Sequence, residues 1–86
     1  MVNTTKKTIG LELHDNDLNS YSFIVEVIMQ VLGYEITQAV TCANMIVDKG
    51  SYVVKSFHKR DLDVAEALLE LFMKNDVPAR IIKIKK

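Results

Sequence analysis

The feature that most constrains this chain is the spacing of its apolar residues, whose repeat switches between two, as in strands, and about 3.6, as in helices. Ile9, Leu11 and Leu13 alternate with Gly10, Glu12 and His14, which predicts a strand with one buried face. Gly10 falls on the open face, where a missing side chain signals a bulge or the close approach of another group. Phe23, Val27, Ile28, Val31 and Leu32 recur at helical spacing until Gly33 stops the run. A second helix over about 35–49 places Ile36, Ala39, Cys42, Ala43 and Ile46 on one stripe and ends at Gly50. The link between these helices is so short that they must form a tight hairpin. Tyr52 to Phe57 is rich in β-formers and predicts a strand. A third helix over about 60–75 turns Leu62, Ala65, Leu69 and Phe72 inward, and Pro78 lies past its end. Arg80 to Lys85 alternates again, Ile82 and Ile84 facing one way and Lys83 and Lys85 the other.

The order strand-helix-helix-strand-helix-strand implies an α+β fold. The second strand, third helix and third strand form a right-handed crossover, so those two strands run parallel. Placing the first strand antiparallel between them gives a three-stranded antiparallel sheet with three helices packed on one face. At 86 residues there is room for one core, which buries about 60–65% of the unfolded surface. Residues 8–86 are read as that single domain, and residues 1–7 as a disordered N-terminal stub. One cysteine cannot make an internal disulfide, so apolar burial must hold the fold together. No apolar run reaches the roughly 18 residues of a membrane span, and Met1 to Lys7 lead into no signal-peptide core. The expected location is the cytoplasm, away from membranes.

The side chains that could carry chemistry are few. His14 and His58 have no nucleophile arranged near them, and Cys42 sits on an apolar stripe where a thiol behaves as a small hydrophobe. All three glycines are isolated, so no phosphate-binding loop exists. The chain is therefore read as no enzyme, with no cofactor. Asp15, Asp17, Asn19 and Glu26 fall at the first, third, fifth and twelfth positions of a calcium loop. Ser20 stands where that loop needs glycine, and a strand precedes it where a helix belongs, so no metal site is expected. Lys+Arg and Asp+Glu both count 11, which gives no pull toward nucleic acid. The basic end (Arg80, Lys83, Lys85, Lys86) and the acidic stripe of the third helix (Asp63, Glu66, Glu70) read as solvated faces. Lys59–Asp63 and Glu70–Lys74 are spaced as i,i+4 pairs.

The turn Asp15-Asn16-Asp17-Leu18-Asn19-Ser20 offers more. Asn19 or Ser20 can cap the first helix. Its acceptor oxygens beside an apolar wall suit an ammonium group with a greasy neighbour, as at the start of a polypeptide.

In register with this turn stand Leu13-His14, Phe23, Glu26-Val27, Gly33-Tyr34, Ala39 and Gly50, with Pro78 near the end. Together they resemble the ClpS family, small adaptors that deliver substrates to the Clp unfoldase–protease, over about Thr8 to Lys85. The resemblance implies the fold derived above, a Clp unfoldase N-domain and a substrate N-terminal peptide as partners, and a monomer. It implies that Asp15, Asn16 and Asp17 face the α-ammonium of a substrate beginning with Leu, Phe, Tyr or Trp. Asn19 matches a turn residue lining that site, and Tyr21, Ala43, Ile46 and Ala79 match its pocket wall.

The departures are specific. The family's Asn-Asp-Asp is Asp-Asn-Asp here, and its second-helix histidine, which helps hold the amino group, falls at Val47. A gating methionine falls at Ala43, and a lysine used in docking the unfoldase falls at Val64 or Ala65. These changes leave an alternative, a protein-interaction module on the same fold without N-terminal recognition. From Gly33 onward, above all over residues 56–69, the chain is also similar to the C-terminal domain of the ribosomal stalk protein, which shares this architecture.

Overall fold

A computed structural model describes residues 7–84. The elements are β1 (Ile9–His14), α1 (Tyr21–Leu32), α2 (Ile36–Lys49), β2 (Ser51–Phe57), α3 (Leu62–Lys74) and β3 (Ala79–Lys83), with one 3-10 turn at Lys59–Asp61 before α3. The sheet order is β2-β1-β3, with β1 antiparallel to both neighbours. This is the α+β architecture that the periods predict. Of the expected stub at residues 1–7, only Lys7 lies within the described residues.

The core is the alternating face of β1 closed by the three helices. Leu11, Leu13, Ile28, Ala39, Ala43, Ile46, Ala65 and Phe72 have no exposed surface. Each buried Leu, Ile or Phe side chain contributes about 1.5–3 kcal/mol by leaving water, and each alanine methyl about 0.8. Ser20 caps α1, its Oγ accepting from the Phe23 amide at 3.2 Å. Gly33 (φ 71°) and Gly50 (φ 87°) end α1 and α2 in left-handed conformations that a Cβ would strain. The Tyr34 hydroxyl donates to the Val54 carbonyl at 2.7 Å and ties the helical hairpin to β2.

Several expectations need correction. Leu62 and Ile36 do not face inward; at the starts of their helices they are 39% and 59% exposed. In β3 the core side carries Ala79 and Ile81, opposite Leu13 and Leu11. Ile82 and Ile84 face one way, as their alternation with Lys83 predicts, and that way is the outer face. Ile82 pairs with Gly10, and a Cβ built on Gly10 would stand 3.0 Å from both Ile84 Cδ1 and Val53 Cγ1. That close approach is the reason for glycine there. In β2, Val54 and Phe57 are both buried although three residues apart, because the register shifts between Leu11 and Glu12 and takes one residue out of phase. Neither Lys59–Asp63 nor Glu70–Lys74 closes into an ion pair.

Candidate functional site

The turn between β1 and α1 is fixed mainly by its own side chains. Asn16 Oδ1 accepts from the amides of Leu18 (2.9 Å) and Asn19 (3.0 Å), an Asx turn that spends the oxygen but leaves the amide NH2 available. Backbone bonds pin the strand end on both sides: the Asp15 amide donates to the Gly50 carbonyl (2.9 Å) and the His14 amide to the Pro78 carbonyl (2.8 Å). Asn19 Nδ2 donates to the Asp76 carbonyl at 2.9 Å, bridging the turn to the α3–β3 connection. Asp76 itself is left-handed, with φ 63°. This conformation is uncommon for residues other than glycine, though Asp and Asn adopt it most readily.

The acids of this region are not consumed by these bonds. The carboxylates of Asp15 (half-buried), Asp17 and Asp76 (both exposed) take part in no hydrogen bond or ion pair among the described residues. Glu12 differs. Its Oε1 accepts from Arg80 Nε (2.9 Å) and lies 2.8 Å from His14 Nε2. Burial pushes the Glu12 carboxyl up, but Arg80 and His14 outweigh it and hold it below the ordinary carboxylate range.

The residues predicted from the resemblance fall into separate places. Ala43 and Ile46 are 0% exposed and belong to the core, so they touch a ligand only if the turn or α2 moves. Val47 projects from α2 at 49% exposure. Tyr21 lines a shallow groove on the outer side of the hairpin with Phe23, Met29, Ile36 and Val40. Asn16, Asn19 and Ala79 are brought together. They share a cleft of about 570 Å3 with Leu18, Met73 and the segment 76–78. The cleft beside the turn opens between it and the α3–β3 connection.

The same cleft is lined by Leu18, Met73, Asp76 and Val77, which the resemblance does not single out. Leu18, the one apolar residue in a polar turn and 92% exposed, was a signal available in the sequence. Met73 and Asp76 carried none, since only the tertiary bond from Asn19 sets them opposite the turn. Among the described residues no group of three or more His, Cys, Asp or Glu side chains is placed to hold a metal. No helix among them is long and apolar enough to cross a membrane.

The family model for the ATP-dependent Clp protease adaptor protein ClpS matches residues 5–80. The structure is similar to that of Agrobacterium tumefaciens ClpS2 bound to L-phenylalaninamide, with a TM-score of 0.72 over 90% of this chain and 96% of that one. At 14% identity this likeness is one of fold. No curated protein sequence matches the chain significantly.

Proposed function

The chain belongs to the ClpS family of Clp protease adaptors, and from that premise we propose that it delivers polypeptides with a hydrophobic N-terminal residue to a Clp protease, docking on the unfoldase N-domain. In this reading it works as a cytoplasmic monomer with no catalytic step or cofactor of its own. The observation that carries the reading is the pair of unengaged carboxylates, Asp15 and Asp17, on a turn whose strand end is pinned on both sides and whose helix end is tied by Asn19 and Ser20. An α-ammonium needs fixed acceptors, and charge-assisted bonds to carboxylates are about twice as strong as neutral ones. Half-buried Asp15 is the less screened of the two. It offsets part of what the family histidine, Val47 here, would supply. The similar A. tumefaciens protein was solved with a ligand of matching chemistry, a free amine beside an aromatic side chain.

Fluorescence anisotropy of peptides beginning with Phe or Leu, set against their N-acetylated forms, tests the proposal. Acetylation removes the charge and should weaken binding by roughly ten- to a hundredfold, the equivalent of about 1.5–3 kcal/mol. Equal binding of both forms, or none, removes N-terminal recognition. The second reading, an adaptor-fold interaction module that does not read chain starts, is favoured by the burial of Ala43 and Ile46. It predicts retention of a Clp unfoldase N-domain in a pull-down together with indifference to acetylation.

A further inference from the structure

We propose that the outer edge of β3 is a docking site at which an extended segment of another polypeptide, acidic on one face and apolar on the other, adds as a fourth strand. The site lies at the opposite end of β1 from the 15–19 turn and requires no amino group. It therefore stands apart from the N-terminal recognition proposed above.

The backbone of β3 is half used. The strand borders the sheet, with β1 on one side and no strand on the other. The Ile84 amide donates to the Thr8 carbonyl (2.8 Å) and the His14 amide to the Pro78 carbonyl (2.8 Å), so β1 bonds to the even-numbered residues of this segment. Ala79, Ile81 and Lys83 consequently turn their amides and carbonyls outward, where no residue among those described takes them up. A row of such groups is a template for strand addition.

An apolar groove of about 530 Å3 wraps the end of this edge. Ile9, Ile81 and Leu62 line it on the helix side of the sheet, and Ile82 and Ile84 on the outer side. Leu62 is 39% exposed at the first turn of α3, where nothing covers it. Lys59 and Lys83 form the rim; both are exposed, neither makes an ion pair among the described residues, and no acid lines the groove.

Charge selects the occupant. A second copy of β3 would set Arg80 and Lys83 against the same basic residues, and edge lysines discourage that pairing. The chain's own segments next to the groove, residues 1–6 and 85–86, hold three lysines and no acid. An acidic strand reverses the sign. Carboxylates on its one face reach Lys59 and Lys83 with their methylenes over Leu62, and the alternate side chains cover Ile82 and Ile84.

The experiment is an amide-resolved NMR titration with an N-acetylated, C-amidated hexapeptide alternating Glu and Val. Peptides alternating Lys and Val, or Glu and Ser, serve as controls. Shifts should concentrate at residues 59–62 and 81–84. At a peptide concentration about ten times Kd, solvent exchange of the Ile81 and Lys83 amides should slow about tenfold. The Ile82 amide, which already faces Gly10, should not change. Both controls, and the double variant Lys59→Glu, Lys83→Glu, should bind about tenfold more weakly or worse. The variant's own spectrum reports that it is folded. Shifts without slowed exchange at Ile81 and Lys83, or equal binding of the Lys–Val peptide, overturn the inference. So does slowed exchange that grows with protein concentration alone, which would place a second copy on the edge. Because the peptide is capped, none of these outcomes bears on N-terminal recognition.

Discussion

The 15–19 turn has two flanks of opposite construction. Toward α2, Ala39, Cys42, Ala43 and Ile46 form a buried stripe with nothing larger than 5% exposure. Toward the α3–β3 connection, Leu18 and Met73 stand open across a cleft. One flank spends its apolar surface on stability, and the other leaves it available. The difference shows that matching residue types to a family pattern locates the turn but not which of its neighbours are already covered.

The largest test of that contrast is Ile46→Ala. It deletes fully buried atoms from the closed flank and should lower unfolding stability by about 2–5 kcal/mol in urea titration. A cost below 1 kcal/mol would mean that the α2 flank is looser than its burial implies. Asn19→Ala cuts the bridge to Asp76 and should cost about 0.5–1.5 kcal/mol. Faster hydrogen exchange at 76–78 would show that this bond holds the two walls together.

A third test concerns pH. The folded state holds the Glu12 carboxyl below the ordinary range, so between the lowered native value and the ordinary one the unfolded chain binds more protons. Glu12 therefore adds stability that is fully present above the ordinary carboxylate pKa and fades as pH falls through the native value. Glu12→Gln should flatten the acid side of the stability profile, and added salt should shrink the effect because Arg80 is largely exposed. The smallest effect belongs to the open flank. Leu18→Ser should change unfolding stability by no more than about 0.5 kcal/mol in urea titration, because the side chain is 92% exposed.

Local patterns in the sequence carried the fold. Ile9, Leu11 and Leu13 announce β1 because a strand repeats every two residues, and Gly33 and Gly50 announce helix ends because little else tolerates their φ values. Where two signals overlapped, the pattern was silent. Ile81-Ile82 is a continuous apolar pair, and period two cannot say which member meets the core. The shift in β2 that buries both Val54 and Phe57 is likewise invisible without the partner strand. The site was legible at the turn, where Asn16 and Ser20 act within three residues of themselves. The tie from Asn19 to Asp76 was not legible, because it spans 57 positions.

The single thiol of the chain has a practical consequence. Cys42 is buried on α2, and loss of solvation pushes its pKa up, so the reactive thiolate is scarce while the helices stay packed. Alkylation by iodoacetamide can then proceed only as fast as the interior opens. The rate of carboxamidomethylation becomes a clock for transient unfolding, built in without any engineered label.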